Sequence, residues 1–358
     1  MREHLYALGV SCIELIQYWC TDWAPFFEQV NNFYNPNNVL DILFPVVSFI
    51  DSVFASQLLL VTSFGGWLNC VMKWWLLEDR PYWWVRETDY YNGTIRPKLT
   101  QTIQTCETGP GSPSGHTSMA ASVLVLGVMW MSHVFNDRKW NTSLWKWTIY
   151  PVFASQLFSV MLSRMYIATH FPHQCLLGAA VGAFIAPALC IYVSDPYIWQ
   201  YGPYVNYTTE RAIKWHVFGS LVAIAISVVT YYSLVLCNVD PHFTVKLAFK
   251  WCENPDYIHV STTPMFALVQ CTGTLLGWAL FVTPSVARFR HDTYKRSFII
   301  AAFKTIVITY SLHYLEGEIP RDSVFKFYAL NFVLNAVKPL FYLRLVPELS
   351  LWPFRDNK

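Results

Sequence analysis

A short polar run ends in a histidine directly before an apolar segment of helical length. The run from Cys106 to His116 is rich in glycine, proline and serine, and an apolar stretch at 119–134 follows it. Ser114 stands where a helix N-cap is favoured, and the free N–H groups of a first helical turn attract anions. His116 would lie beside such an anion with a ring that exchanges protons near neutral pH. These residue types predict an anion site with acid–base chemistry at the start of this helix.

Further fragments carry a positive charge or an imidazole at the ends of apolar segments. Lys73 and Arg80 close one segment, seven residues apart, which would place them on one face if the helix ran through both. Arg164 closes another segment, and His170 precedes Pro172, a residue type favoured at the first position of a helix. Because successive spans reverse direction, all these ends should meet at one membrane face.

Such a group of side chains suits a phosphate dianion. Arginine offers a planar fork to two oxygens, lysine adds a point charge, and the N–H groups of Ser114, Gly115 and His116 can take the remaining oxygens. One histidine could attack phosphorus and form a covalent intermediate, while the other protonates the leaving oxygen and then activates water. The three cations would neutralise the developing charge. The sequence therefore predicts metal-independent phosphoryl transfer without a cofactor.

Each of these residues also has a purely structural interpretation. Lys73 or Arg164 could be an interfacial cation whose stem lies along apolar surface, and His170 or His173 could be an interfacial polar residue. A transporter or a non-catalytic scaffold is the alternative from another class, because intramembrane charges also line substrate pathways. The coincidence of all these residues at one face favours the phosphate site.

The composition is that of a membrane protein. Of 358 residues, 54% are hydrophobic and 13% are charged, whereas globular chains carry roughly 25% charged residues. The long apolar stretches predict an all-α, polytopic membrane helix bundle that forms a single domain over residues 1–358. The net charge of +2 is small, and the chain has no basic block that would indicate nucleic-acid binding.

Nine stretches approach the roughly 20 residues that a helix needs to cross a bilayer. They lie at 39–54, 57–77, 117–135, 146–163, 174–194, 213–236, 262–283, 297–314 and 324–344. Residues 1–36 are amphipathic and aromatic, and we expect them at the membrane interface. The Lys and Arg residues of the loops favour a cytosolic C-terminus and put the 78–116 loop, which carries the predicted site, on the other side.

Three glycosylation sequons begin at Asn92, Asn141 and Asn206. Only Asn92 falls on the non-cytosolic side of this topology, so we expect it alone to carry glycan. Among the nine cysteines, Cys106, Cys237 and Cys252 lie in or near loops. Their spacing does not decide whether any two of them form a disulfide, and no cysteine spacing indicates a metal site.

Three fragments together resemble the signature of the type 2 phosphatidic acid phosphatase superfamily: Lys73-x6-Arg80-Pro81, Pro113-Ser114-Gly115-His116 and Ser163-Arg164-x5-His170. Within that superfamily, the stretches at 80–85, 106–116, 170–174 and 250–264 look like those of glucose-6-phosphatases. The resemblance covers nearly the whole chain. It implies nine spans in the endoplasmic reticulum membrane and an active site that faces the lumen.

The resemblance also implies an activity and a role for each site residue. It makes His170 the phosphohistidine nucleophile, His116 the proton donor, and Lys73, Arg80 and Arg164 the phosphate ligands. The reaction would hydrolyse glucose 6-phosphate to glucose and inorganic phosphate, in gluconeogenesis and glucose homeostasis. A separate transporter would deliver glucose 6-phosphate to the lumen. The close alternative is a lipid phosphate phosphatase of the same superfamily, which usually has six spans rather than about nine.

Two features leave roles open. The superfamily carries an aspartate four residues after its nucleophile, whereas this chain has Gln174, a neutral amide. Either this weaker orienting group suffices, or Glu107 or His173 takes part. For the sugar, residues 82–84 (Tyr-Trp-Trp) could border the ring or form an interfacial aromatic belt, and Glu107 or Asp256 could accept hydroxyl groups.

Overall fold

The computed structural model describes residues 2–137, 142–198, 209–259, 262–284, 286 and 298–347. Over these residues the regular secondary structure is helical, and the one β-type contact is an isolated bridge between Glu107 and His259. The helices are α1 Arg2–Trp19, α2 Ala24–Phe33, α3 Pro36–Ile50, α4 Ser52–Leu76, α5 Pro81–Glu87, α6 Gly115–Asp137, α7 Thr142–Tyr166, α8 Pro172–Leu189, α9 Thr209–Leu236, α10 Phe243–Trp251, α11 Pro264–Phe281, α12 Phe298–Gly317 and α13 Val324–Leu340. A π-helical turn, Cys190–Ser194, extends α8.

Five helical segments of the described chain are long and apolar enough to cross a membrane. They are Ser52–Tyr91, Gly115–Asn136, Pro172–Ile198, Glu210–Leu236 and Pro264–Phe281. The prediction of an all-α membrane helix bundle is therefore confirmed. A helix also lies at each of the four other predicted spans, but the count of nine crossings stays a prediction.

The chain forms two compact units, and each is discontinuous in sequence. The first comprises Met1–Pro36, Leu68–Phe184 and Ser227–Ala267, and the second comprises Asn37–Trp67, Ile185–Ile226 and Leu268–Lys358. Every predicted catalytic residue belongs to the first unit. The expectation of one membrane-embedded domain stays a prediction.

The N-terminal residues form two helices that pack within the first unit. Tyr6, Val10 and Ile13 recur at helical spacing on one face of α1, and all three are buried. This face contacts α5 and α7, and α2 contacts α7 as well. Leu8 and Trp19 on the other face are exposed. The burial of one face of α1 supports the expectation of an amphipathic segment at 1–36, which stays a prediction together with its location at a membrane interface.

The helix that carries Lys73 does not continue to Arg80, so the condition under which the two cations would share one helical face is not met. α4 ends at Leu76, and Leu77 adopts the left-handed conformation with φ of 47°. Arg80 is extended, with φ of −104° and ψ of 152°, and Pro81 starts α5. A proline at the first helical position has no N–H to leave unpaired. The break turns the chain between the two cations.

Two glycines one helical turn apart bring α8 close to the start of α6. A Cβ at Gly178 would lie 2.6 Å from the carbonyl oxygen of Ser114, and one at Gly182 would lie 2.1 Å from that of Ser118. The Gly178-x3-Gly182 spacing is a small-residue packing motif of membrane helices, because it lets two backbones approach closely. This contact sets the start of α8 beside the start of α6.

The second unit pairs buried indole groups with backbone carbonyls. Trp67 Nε1 donates to the carbonyl oxygen of Ala223 at 3.0 Å, and Trp278 Nε1 donates to that of Ser56 at 2.9 Å. A buried indole N–H without a partner would cost free energy, so these bonds fix how the helices of this unit contact one another.

Candidate active site

The predicted site residues converge within the first unit, around the carboxylate of Glu107. Arg80 comes from the turn after α4, Arg164 from the end of α7, His116 from the first turn of α6, and His170 from the turn before α8. These four residues and Glu107 are all buried. The expectation that these helix ends meet is thus confirmed for the side chains themselves.

The ring of His170 has one well-defined orientation and one tautomer. Its Nδ1 lies 2.7 Å from the carbonyl oxygen of Gly111, which can only accept a hydrogen bond, so Nδ1 carries the proton. Its Nε2 lies 3.2 Å from Nη1 of Arg80, which can only donate, so Nε2 keeps its lone pair. Burial, together with the charges of Arg80 and Arg164, lowers the pKa of His170 well below its usual value. The ring is therefore neutral, with a nucleophilic nitrogen facing the cations.

Gln174 supports this orientation, and the carbonyl of Gly111 does so at shorter range. The side-chain amide of Gln174 donates to the Glu78 carboxylate at 3.0 Å and to the Asp79 carbonyl at 2.8 Å. Its Oε1 must therefore face the other way, where it lies 3.3 Å from His170 Nδ1. Sequence reasoning did not identify Gly111 because a backbone acceptor carries no residue-type signal.

His173 does not contact the His170 ring in this network. Its Nε2 bonds to the Glu78 carboxylate at 3.0 Å, and its ring stacks on Phe171 and Tyr6. The Glu78 carboxylate also accepts a hydrogen bond from the side-chain amide of Gln174, so it links His173 to Gln174. The orienting role considered for His173 is therefore at most indirect, through Glu78.

Two of the predicted phosphate ligands also hold the loop that precedes α6. Arg80 Nε donates to the carbonyl of Gly109 at 2.6 Å, and Arg80 Nη2 donates to that of Pro110 at 3.2 Å. Lys73 Nζ donates to the same Pro110 carbonyl at 2.8 Å. Only Nη1 of Arg80 points at the Glu107 carboxylate, so this arginine does not present the full fork expected from the sequence. It fixes the loop with two nitrogens and faces the site with one.

Gly111 is required by close packing in this loop. A Cβ there would lie 2.3 Å from the carbonyl oxygen of Asp79 and 2.6 Å from Gln174 Nε2. Its N–H donates to the carbonyl of Glu78 at 2.7 Å. Because both neighbours also position the nucleophile, a larger residue here would displace the acceptor for His170.

The Glu107 carboxylate occupies the point on which the cations and imidazoles converge. Its Oε2 lies 2.9 Å from Arg80 Nη1, and its Oε1 bonds to Arg164 Nη2. Its oxygens also lie 3.6 Å from His116 Nδ1 and 3.9 Å from His170 Nε2. Glu107 was weighed from the sequence as an orienting group or a sugar contact. Its geometry is instead that of an anion bound between two arginines and flanked by both rings.

The charge of the site suits an anion with two negative charges. Burial alone would raise the pKa of Glu107, but Arg164 and Arg80 outweigh it and hold that pKa well below its usual range. Glu107 is therefore ionised. Arg80 and Arg164 contribute two positive charges, which match the two negative charges of a phosphate monoester that takes the place of the Glu107 carboxylate.

The N-terminal segment contributes a residue that sequence reasoning missed. Asn31 on α2 is buried, and its Oδ1 accepts from Nη1 of Arg164. The neighbouring Ser163 donates to the carbonyl of Phe27 at 2.8 Å. The two arginine nitrogens Nη1 and Nη2 thus bond to Asn31 and Glu107. The only available signal was an asparagine one helical turn after Phe27, and such a residue is too common to identify a site.

The start of α6 has the predicted N-cap but offers fewer free N–H groups than predicted. Ser114 Oγ accepts from Thr117, from its N–H at 3.5 Å and its hydroxyl at 3.0 Å. The N–H of Ser114 itself donates to the carbonyl of Gln174 at 3.1 Å, so it is not available to an anion, contrary to the expectation. Gly115 and His116 occupy the first turn, where N–H groups have no acceptor within the helix.

A disulfide links the Glu107 segment to a distant loop. Cys106 and Cys252, 146 residues apart, form a disulfide, while Cys237 is free and exposed. The N–H of His259 donates to the Cys106 carbonyl at 3.1 Å, and Thr108 bonds to Thr262 at 3.0 Å. The carboxylate that neutralises the arginines is therefore held on both sides by the loop after α10.

The aromatic run at 82–84 has a role that neither expectation described. Tyr82, Trp83 and Trp84 are all buried in the core cluster that also contains Tyr6 and Phe171. The Tyr82 hydroxyl donates to the carbonyl of Glu107 at 2.9 Å. The three rings are therefore neither an interfacial belt nor an open sugar platform. They support the loop and the turn that position the site.

The glycosylation sequons and Asp256 are the remaining positions that the sequence singled out. Asn92 is exposed, as glycosylation requires, but its modification stays a prediction. Asn141 and Asn206 lie outside the described residues. Asp256 is exposed, and its backbone N–H donates to Asn254 Oδ1 at 3.0 Å. A contact between Asp256 and a sugar also stays a prediction.

Comparison with known proteins agrees with this geometry. Residues 54–198 match the model of the PAP2 superfamily. Glucose-6-phosphatase 2 of Homo sapiens is 33% identical over 355 residues, which cover 96% of this chain and 96% of the human protein. Glucose-6-phosphatase catalytic subunit 1 of Rattus norvegicus is 33% identical and that of Felis catus 31%, each over 353 residues that cover 96% of this chain and 94% of the relative. No solved structure matches the chain.

Proposed function

The chain belongs to the glucose-6-phosphatase family, and on that premise we propose that it hydrolyses glucose 6-phosphate to glucose and inorganic phosphate. It is a phosphoric monoester hydrolase that works through a phosphohistidine at His170. The observation that carries this proposal is the Glu107 carboxylate, an anion between two buried arginines with both imidazoles within 3.9 Å.

In the first step the substrate phosphate displaces the Glu107 carboxylate. Its oxygens take the hydrogen bonds of Arg80 Nη1 and Arg164 Nη2, and the N–H groups at the start of α6 stabilise the negative charge on the phosphoryl oxygens in the transition state. The lone pair on His170 Nε2 forms a bond to phosphorus as the bond from phosphorus to the sugar oxygen breaks. His116 gives its proton to that oxygen, and glucose leaves.

In the second step water completes the hydrolysis. His116, now unprotonated, takes a proton from a water molecule whose oxygen attacks phosphorus. The bond between phosphorus and Nε2 breaks, and its electron pair returns to His170. The Gly111 carbonyl accepts from Nδ1 in both steps, so the ring keeps its orientation and its tautomer.

The cellular setting is part of the proposal. We expect the chain to lie in the endoplasmic reticulum membrane with the site in the lumen, the C-terminus in the cytosol and glycan on Asn92. A separate transporter would then supply glucose 6-phosphate. Mapping of glycan in microsomes tests this topology, because glycan at Asn141 or Asn206 instead of Asn92 would invert it.

An assay of phosphate release separates the candidate functions. The purified chain should release phosphate from glucose 6-phosphate, with an excess of chelator present, and its His170→Asn variant should not. Preference for a phosphatidate over the sugar phosphate would favour a lipid phosphate phosphatase instead. If neither substrate is cleaved by protein that elutes as a folded species, a transporter or scaffold becomes the better interpretation.

A further inference from the structure

The second unit contains a cavity of about 490 Å³ that the proposed phosphatase chemistry does not use. Its walls come from four helical segments: the first half of α4, the end of α8 with the turns that follow it, the start of α9 and the end of α11. This volume lies within the range of about 300–1,000 Å³ that is usual for small-molecule pockets. The cavity is therefore large enough to hold one ligand.

The walls are dominated by aromatic rings. His216 lies edge-on to Tyr197, with ring centroids 4.7 Å apart and planes at 85°, and 4.9 Å from the ring of Trp278. Tyr192 and Trp215 line the cavity as well, and both are partly accessible to solvent. Flat, stiff walls of this kind favour a ligand with a flat, rigid apolar body.

One polar atom on these walls is buried without a partner. Nδ1 of His216 has no hydrogen-bond acceptor or donor among the described residues. Three other polar groups of the lining have partners. The Tyr197 hydroxyl donates to the Val282 carbonyl, Trp278 Nε1 donates to the Ser56 carbonyl, and Ser220 Oγ donates to the carbonyl of His216. A buried polar atom that lacks a partner is costly, so Nδ1 of His216 marks a hydrogen-bonding position for a ligand.

The lining also excludes several ligand classes. Of the described residues that line the cavity, none is Lys, Arg, Asp or Glu. A fatty acid or a phospholipid would bring a charged group that needs a cation, and a diacylglycerol would bring two ester carbonyls and a hydroxyl that need several donors. A sterol has one hydroxyl on a rigid, flat hydrocarbon. That hydroxyl can donate or accept, so it pairs with Nδ1 in either tautomer of the ring.

We propose that this cavity is a sterol site, in which the ring system packs against the aromatic walls and the hydroxyl pairs with His216 Nδ1. The position of His216 fits an amphiphile taken from the bilayer. It lies two turns from the start of α9, a helix apolar enough to span the membrane. The proposal is independent of the phosphatase activity, because none of the catalytic residues lines the cavity.

Gly219 provides a variant that fills the cavity without damaging its walls. This glycine lines the cavity, and a Cβ built on it would meet no atom within 4 Å. Gly219→Leu should therefore project into the open space, and it also removes a helix-destabilising glycine. Gly317 at the end of α12 is a matched control, because its Cβ would also meet no atom within 4 Å and it does not line the cavity.

The test is photolabelling of the full chain in nanodiscs of phosphatidylcholine that contain a photoreactive, clickable cholesterol analogue. We expect saturable labelling on peptides that contain 212–220, competed by excess cholesterol. Gly219→Leu should reduce this labelling about tenfold, and Gly317→Leu should not change it. His216→Phe keeps the ring but not the hydrogen bond, so it should weaken cholesterol competition by about three- to tenfold.

Each outcome decides for or against the sterol site. Equal labelling of the wild type and of both Gly219→Leu and His216→Phe would overturn it, as would stronger competition by oleic acid or by a diacylglycerol than by cholesterol. If Gly219→Leu does not elute as a folded protein, His216→Phe and the competition on the wild type still decide the question. Release of phosphate from glucose 6-phosphate is measured on every variant, so loss of the phosphatase proposal would be seen separately.

Discussion

The two histidines of the site are held very differently. Nδ1 of His170 bonds to the Gly111 carbonyl at 2.7 Å, and its Nε2 faces Arg80 at 3.2 Å. Nδ1 of His116 lies 3.6 Å from Glu107, and its Nε2 is buried without a partner among the described residues. One ring is fixed at both nitrogens by short contacts, whereas the other has one longer contact and one free nitrogen.

This difference matches two tasks in the proposed reaction. A nucleophile must approach phosphorus along one line, so an orientation that is fixed before the substrate binds lowers the barrier. A group that first gives and then takes a proton needs a nitrogen that meets the substrate oxygen and later a water molecule. The Nε2 atom of His116, which has no partner among the described residues, suits proton transfer. The fixed Nε2 atom of His170 suits nucleophilic attack.

The comparison predicts that loss of each ring blocks a different step. His170→Asn should reduce turnover by at least about 10⁴-fold and leave no acid-labile phosphoenzyme, since the nucleophile is gone. His116→Ala should reduce turnover by about 10²- to 10⁴-fold, and phosphoenzyme should accumulate because water activation is lost. Rapid quenching in alkaline detergent, in which phosphohistidine is stable, measures both quantities with glucose 6-phosphate that carries radioactive phosphorus.

The exposed histidine at position 313 supplies the control for this pair. His313→Asn should turn over substrate at the wild-type rate. Phosphoenzyme in His170→Asn, or full activity in His116→Ala, would mean that the roles of the two rings are assigned wrongly.

Arg80 contacts the fixed ring of His170, and replacement of this arginine should have the next largest effect on activity. Arg80→Lys cannot keep bonds to the Gly109 carbonyl, the Pro110 carbonyl and the site at once, because a lysine is a single point charge. We expect kcat/KM for glucose 6-phosphate to fall by about 10²- to 10³-fold. Arg86→Lys, a change at an arginine paired with Glu253, should leave kcat/KM unchanged.

Glu107 lies between the two rings, and its replacement tests whether phosphate takes its place. Glu107→Gln removes the counterion of Arg80 and Arg164, so the free protein should lose about 3–5 kcal/mol of stability. Binding of vanadate should restore much of that loss. We therefore expect the rise in melting temperature with vanadate to be larger for the variant than for the wild type.

The exposed carboxylate of Glu253 gives the matched control, and Glu253→Gln should respond to vanadate as the wild type does. If Glu107 instead stays beside the bound phosphate, its loss would not favour anion binding. The variant would then gain no more from vanadate than the wild type gains, and the displacement step of the mechanism would be wrong.

Replacement of Asn31 should have a smaller effect than replacement of either histidine, of Arg80 or of Glu107, because Asn31 acts through Arg164. Asn31→Ala removes the acceptor on Nη1 but leaves the bond from Nη2 to Glu107. We expect KM for glucose 6-phosphate to rise by about tenfold with a smaller change in kcat, since one neutral hydrogen bond to a charged group is lost. A change in kcat alone would place Asn31 in the chemical step instead.

Local patterns in the sequence were sufficient for the long helices and for the N-cap of α6. The predicted span at 57–77 is close to α4, Ser52–Leu76, because an apolar run of this length forms a helix wherever it is embedded. Ser114 was predicted as an N-cap from its own type and position, and its hydroxyl does accept from Thr117. These signals lie within a few residues of the features that they predict.

Features that depend on where a helix breaks or on what covers a surface were not decided by local patterns. The sequence left open whether one helix runs through Lys73 and Arg80, and the chain leaves the helix at Leu77, whose left-handed conformation no leucine signals in advance. The aromatic run at 82–84 is core rather than surface, because α1 and Phe171 cover it. Burial depends on which distant segment packs there, and a local pattern of apolar residues does not name that segment.

The amino-acid sequence alone determined the helices, the class of reaction and the identity of the basic and imidazole groups, because residue type and short spacing carry that information. Only the tertiary structure decided that Glu107 sits among those groups, that Asn31 from the N-terminal segment holds Arg164, and that Cys106 pairs with Cys252. The bond between Arg164 and Glu107 joins residues 57 positions apart, the bond between Arg164 and Asn31 spans 133 positions, and the disulfide spans 146. Their partners are selected by how the helices pack and where the loops end, and no local propensity encodes that choice.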